Sequence, residues 1–201
     1  MNGNFRNQFM QAKGPLLEKE SMAYVTIRSQ SMCKVDPLKS KKIMDLILWR
    51  HADAEIAAEG EDDLSRQLTS KGEKQAIRIA TWLDRHLPEG VRILVSPARR
   101  TEQTAKALNR RYKLRDELVP DSSADEVLAL IKWDIKKGPQ GKGPVLLVGH
   151  QPYLGEIAAR LLAMQVQTCA IRKGAVWWLR SRVREDQSEI LLLNVINPDF
   201  V

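Results

Sequence analysis

Apolar positions in this chain follow two rhythms that alternate from Ile43 onward. Leu46-Ile47-Leu48-Trp49, Val91 to Val95 and Val145 to Val148 are short apolar, strand-like runs closed by polar or glycine-bearing turns. Runs of that length read as strands buried on both faces. Between them the period lengthens. Ala76, Ile79, Leu83 and Leu87 form one stripe of a helix predicted from about Ser70 to Leu87, with Ser70 and Glu73 spaced as a capping box. A second helix is predicted from Pro97 to about Arg111, where proline suits the first turn. A short extended piece near Leu118 precedes a third, from about Ser123 to Lys136, with Asp125 and Glu126 at its start and Lys136 and Lys137 at its end, as the helix dipole favours. Gly138 to Pro144 reads as a loop, and Tyr153 to about Leu162 as a fourth helix. Ala175 to Arg182 and Glu189 to Ile196 read as two final strands joined through the polar 184–187 stretch. Strands alternating with helices predict an α/β fold with a mostly parallel sheet covered on both faces.

Residues 1–42 show no sustained period. They are expected to form a poorly ordered basic extension, with a short helix near Leu16 to Val25, or to be translated upstream of a start at Met44. Residues 43–201 are expected to form the catalytic domain. Of the net charge of +7, most lies in the leading segment: residues 1–43 carry eight Lys/Arg against three Asp/Glu, leaving 24 against 22 for the rest. The folded part therefore has no excess suited to nucleic acid, and no nucleic-acid partner is expected. Cys33 and Cys169 make no motif spacing, which favours a reducing compartment. No run approaches the roughly 20 apolar residues of a membrane span, and the N-terminus lacks the pattern of a secretory signal. The expectation is a cytoplasmic protein with no membrane partner.

The chemistry gathers where the strands end. The first run delivers Arg50-His51-Ala52, the second Ser96-Pro97-Ala98-Arg99-Arg100-Thr101, and the third Gly149-His150-Gln151-Pro152. In open α/β sheets ligands bind at the carboxyl ends of the strands. Two imidazoles and up to three guanidiniums delivered there suggest one pocket for a phosphoryl group. A neighbouring Arg50 favours the neutral form of His51, which a nucleophile needs, and its planar fork matches phosphate oxygens. His51 is thus the candidate nucleophile, passing through a phosphohistidine. Arg100 shares a helix face with Gln103 and Thr104 and is expected in the pocket, with Arg99 turned outward. His150 would donate a hydrogen bond to the phosphoryl oxygens. His86 reads as a surface residue. Zinc-like spacing is missing and two arginines would repel a cation, so neither metal nor cofactor is expected.

These segments, together with Leu68-Thr69-Ser70-Lys71-Gly72-Glu73-Lys74-Gln75-Ala76 and Gln103-Thr104, resemble the histidine phosphatase (phosphoglycerate mutase-like) superfamily over about residues 43–198. The short body and closely set motifs look most like its SixA-type phosphohistidine phosphatases. The resemblance implies a three-layer α/β/α sandwich, His51 as the phosphate-accepting nucleophile, and Arg50, Arg100 and His150 completing the phosphate pocket. There are two departures. Ala52 stands where many members have glycine. The stretch that bears an acidic proton donor in larger members is short here, leaving Glu117 as the possible donor and Asp53 as a weaker one.

A weak donor has a chemical consequence. Alkoxide expelled from a phosphate ester benefits from a general acid by about 10²–10⁴-fold, whereas imidazole leaves a phosphoramidate readily once its ring takes a proton from solvent. The expected activity is therefore hydrolysis of phosphohistidine on a signalling or phosphotransfer protein. The alternative is a metal-independent phosphatase or mutase for small phosphate esters. A non-catalytic phosphate-binding module is disfavoured, because binding alone needs no nucleophile.

Overall fold

A computed structural model of the chain describes residues 43–57, 59–184 and 187–201. The expectations for residues 1–42 lie outside the described residues. Six strands form the main sheet in the order β3-β2-β6-β1-β7-β8. They are β1 (Ile43–Arg50), β2 (Arg92–Val95), β3 (Lys113–Leu114), β6 (Val145–Gly149), β7 (Val176–Arg184) and β8 (Gln187–Ile196). The first four in sheet order run parallel, and β7 and β8 close one side antiparallel. Four helices cover it: α1 (Ser70–His86), α2 (Arg99–Lys106), α3 (Ala124–Leu130) and α4 (Tyr153–Leu161).

Strand alternation sorts the apolar runs onto two faces. Leu46, Leu48, Leu94, Val145 and Leu147 pack with α3 and α4 through Val127, Leu128, Leu154 and Ile157. Ile47, Trp49, Ile93, Val95, Leu146 and Val148 pack with α1 and α2 through Ile79, Leu83 and Ala105. Side chains of period two feed both faces because both are covered. The result is the three-layer α/β/α sandwich expected.

The element ends differ from the sequence reading where local backbone geometry intervenes. The cap of α1 is Thr69 rather than Ser70: its hydroxyl accepts from the Gly72 N–H at 2.9 Å. Pro97 stands just ahead of α2, and that helix stops at Lys106, well short of Arg111; Asn109 then takes a left-handed φ of 51°. The third helix ends at Leu130, and Lys132, at φ 56°, turns the chain into a small hairpin of β4 (Trp133–Asp134) and β5 (Gly138–Pro139). Lys136 and Lys137 are thus no helix terminus; their backbone N–H groups bind the Asp134 carboxylate. Ser123 and Glu126 form the capping box, at α3. The extended piece near Leu118 is β3, with Leu118 itself the buried residue of a 3-10 turn.

Among the described residues no helix is long and apolar enough to cross a membrane.

Candidate active site

Register brings the three motif strands to one level. Arg50 pairs with Gly149 across β1 and β6, and Val95 with Val148 across β2 and β6. The next residues continue the ladder: the His51 N–H donates to the Gly149 carbonyl at 3.0 Å and the Ser96 N–H to the Val148 carbonyl at 3.1 Å. His51, Ser96 and His150 therefore emerge side by side at the carboxyl edge of the sheet. The two imidazole centroids stand 5.2 Å apart.

His51 is 6% exposed. Its Nδ1 lies 2.7 Å from the Ala52 carbonyl oxygen, which can only accept, so Nδ1 holds the ring proton and Nε2 keeps its lone pair. Burial, with the Arg100, Arg50 and Lys173 charges adding to it, lowers the pKa to about 3 against the raising effect of the Ala52 hydrogen bond. At neutral pH the ring is uncharged, with the lone pair that nucleophilic attack requires. Ala52 itself is fully buried beside Ala54, Leu68 and Ala76, so its extra methyl fits the wall of the site. The Ala52 N–H donates to Thr104 Oγ1 at 3.1 Å, which ties the loop that carries His51 to α2.

The second motif acts through packing. Thr69 Oγ1 donates to Asp53 Oδ2 at 2.9 Å, and the Thr69 N–H to the Asp53 carbonyl at 3.1 Å. Gly72 rests on that same Asp53 carbonyl, where any Cβ would collide. The N-terminal turn of α1 thereby holds the loop behind His51. Lys173 pairs with Asp53 at 2.6 Å. Together with the Thr69 hydrogen bond, it outweighs burial and keeps the carboxyl below its usual range.

Both guanidiniums are anchored at their tips and open at Nε. Arg50 Nη1 donates to the Ile171 carbonyl at 2.6 Å. Arg100, 2% exposed, donates from Nη1 to the Asp63 carbonyl at 2.6 Å and from Nη2 to Asp63 Oδ2 at 2.7 Å. Among the described residues the Nε–H of each is buried with no partner, and so is His150 Nδ1. Native interiors rarely leave such atoms unpaired. Three orphaned side-chain nitrogens, two from strand ends and one from the first turn of α2, are what an anion-binding cradle requires. Arg99 is exposed, and Gln103 Oε1 accepts from the Leu68 N–H at 2.8 Å, so the helix face predicted for Arg100 is the face that meets the site.

His150 is 2% exposed, and its Nε2 lies 2.8 Å from Ser96 Oγ. Burial, and then the charges of His51 and Arg100, lower its pKa to about 2. Its backbone N–H donates to Tyr153 Oη at 3.0 Å, and that hydroxyl donates in turn to the Leu118 carbonyl at 2.9 Å. Tyr153 lies where a side chain on Gly149 would be, which accounts for the glycine.

Glu117 is exposed, in the 3-10 turn beside Leu118, and is hydrogen-bonded to neither imidazole. Sequence reasoning missed Ser96 as a partner of His150, Asp63 as the clamp of Arg100, and the 171–175 segment. That segment receives Arg50 through Ile171, Trp49 Nε1 through the Gly174 carbonyl, and pairs Asp53 with Lys173. The Ser-Pro motif was visible, but nothing local in it points to an imidazole 54 residues away. Among the described residues no group of three or more His, Cys, Asp and Glu could hold a metal ion.

Fold and site together define a class: an α/β/α protein that gathers two neutral imidazoles and two guanidiniums at the carboxyl edge of its sheet. The model of the histidine phosphatase superfamily (branch 1) matches residues 46–128. The phosphohistidine phosphatase SixA homolog of Haemophilus influenzae is 34% identical over 131 residues, covering 59% of this chain and 77% of the relative. The phosphohistidine phosphatase SixA of Escherichia coli is 30% identical over 121 residues, covering 59% and 74%. A solved SixA-type structure from Agrobacterium tumefaciens superposes with a TM-score of 0.63 at 26% identity, over 77% of this chain and 97% of that one. The chain belongs to the histidine phosphatase superfamily.

Proposed function

We propose that residues 43–201 are a catalytic domain that removes phosphate from histidine on a signalling or phosphotransfer protein, in the cytoplasm. The observation that carries this reading is the buried, neutral His51 ring with Nδ1 spent on the Ala52 carbonyl and Nε2 free beside His150. In the first step His51 Nε2 attacks phosphorus, the phosphorus–nitrogen bond of the donor breaks, and the departing imidazole takes a proton from water. In the second, water attacks phosphorus, the bond to Nε2 breaks, and inorganic phosphate leaves. Arg50, Arg100 and His150 hold the non-bridging oxygens through both transfers, stabilising charge as it redistributes.

The carboxyls around the site support phosphoramidate over ester. Asp53 is paired with Lys173. For Asp63, burial alone would raise the pKa, but Arg100 and Arg66 outweigh it and hold the carboxyl low. Both are ionised at neutral pH and poor proton donors. Glu117 is the carboxyl to test if an ester proves to be a substrate. The SixA proteins it resembles are named as phosphohistidine phosphatases, which supports the same reading.

The test is a phosphorylated histidine phosphotransfer domain mixed with the enzyme. Acid-labile phosphate on the wild type, and none on His51→Ala, is expected. Saturable turnover of one sugar, glycerate or nucleotide monophosphate, with kcat/KM above about 10⁴ M⁻¹s⁻¹, would replace this reading with the ester phosphatase.

A further inference from the structure

Ser96 takes no part in the steps above, yet it is fully buried against one of the two imidazoles. Its Oγ has two neighbours: it accepts from the Ala98 N–H at 3.3 Å and lies 2.8 Å from His150 Nε2. A neutral imidazole carries one N–H, so that second contact has two possible senses. If Nε2–H donated to Ser96, Oγ would accept twice and its own hydrogen would have no acceptor in a buried place. His150 Nδ1 would then be a bare lone pair, repelling the anion the cradle is built to hold. If instead Ser96 donates to Nε2, its hydrogen finds an acceptor while Oγ still accepts from Ala98, and Nδ1 carries the proton. One N–H is then left unsatisfied, and a phosphoryl oxygen satisfies it. The low polarity of the site makes each unpaired group costly, which favours the second arrangement.

We propose that Ser96 is a positioning residue that sets the tautomer of His150: its hydroxyl donates to Nε2 and so makes Nδ1–H the hydrogen-bond donor to the phosphoryl group. The inference rests on the proposed role of His150 as a hydrogen-bond donor to the phosphoryl oxygens. Motif residues Ser96 and Ala98 then belong to one relay, Ala98 N–H to Ser96 Oγ, Ser96 O–H to His150 Nε2, and His150 Nδ1–H to the anion. Arg100 from the same motif grips the anion from the neighbouring turn. The neutral state that the relay needs is supplied by burial of the ring.

Nitrogen-15 NMR of the histidine-labelled full chain at neutral pH reads the tautomer directly, and three histidines keep the spectrum assignable. Wild type is expected to show His150 as the Nδ1–H tautomer. Ser96→Ala is expected to lose that preference, and Ser96→Thr, which keeps the hydroxyl, to retain it. Phosphohistidine turnover should fall on the order of ten- to hundred-fold in Ser96→Ala, as for other partners that fix an imidazole, with Ser96→Thr recovering most of it. An Nε2–H tautomer in folded wild type, or an unchanged Nδ1–H tautomer in Ser96→Ala, overturns the proposal. Should Ser96→Ala fail to fold, the wild-type and Ser96→Thr spectra still decide. Absence of any phosphoenzyme in wild type would instead sink the proposed function while leaving the tautomer result standing.

Discussion

Two regions of this molecule gather arginines, and only one of them does so out of water. At the sheet edge, a cavity of about 640 Å³ opens where β3 stops short of pairing with the start of β2, lined by Arg92, Arg111, Lys113 and Arg115 over Val91, Ile93 and Leu130. The side chains of those four cations are exposed and make no ion pair or hydrogen bond among the described residues. In the cleft, Arg100 is sealed, clamped on Asp63, and shares its surroundings with two neutral imidazoles. The edge cavity has more charge and less chemistry. Exposed cations are screened by water and salt, with a Debye length of about 8 Å at physiological ionic strength. Buried ones act at lower effective dielectric and arrive already oriented.

The comparison can be broken or sharpened by experiment. The largest effect is expected from His51→Ala, which should abolish the phosphoenzyme and lower kcat by at least about 10⁴-fold, since a nucleophile has no substitute. Next, Arg100→Ala should cost about 10²–10³-fold in kcat/KM, the range for one preorganised donor. Arg100→Lys should rescue little, because a lysine ammonium cannot span the two Asp63 oxygens and also leave a donor toward the anion. Equal activity in Arg100→Ala and wild type would mean the anion lies elsewhere.

The pH dependence is a third test. Both cleft histidines have folded pKa values below the unfolded value of about 6.5. Between about pH 3 and 6.5 the unfolded chain therefore binds more protons, and stability falls as the pH drops through that window and is level above it. A urea titration series should show this acid slope diminished in His150→Gln. The kcat/KM profile should carry no acid limb near 6.5 from either ring. The smallest effect belongs to the edge. Arg111→Ser with Lys113→Ser should change turnover by less than about twofold and stability by less than about 0.5 kcal/mol at physiological salt. A large loss there would mean that exposed charge contributes to substrate capture.

Much of the site could be read from residue order, because strand-end chemistry is local. Arg50, His51 and His150 lie immediately after apolar runs whose burial is unmistakable, and the spacing of Arg100 with Gln103 and Thr104 chose the inward arginine correctly. The helix boundaries were less legible. Nothing in the apolar spacing announces that Asn109 and Lys132 take left-handed backbone, and those two residues end α2 early and turn the tail of α3 into a hairpin. Asp63 and Ser96 were unreadable for another reason. Asp63 sits in a polar loop that looks like any solvated turn, and its partner is 37 residues away.

The order of apolar and polar residues by itself determined the alternation of strand and helix, the two-sided burial of the sheet, and which side chains emerge at the strand ends. Those properties follow from period and from the cost of exposing apolar surface. Only the tertiary structure decided that β6 lies between β1 and β2, that one register sets His51, Ser96 and His150 at a common level, and that Asp63 and Ile171 hold the two guanidiniums. Hydrogen bonds between distant segments carry those choices, and their partners leave no mark on local sequence.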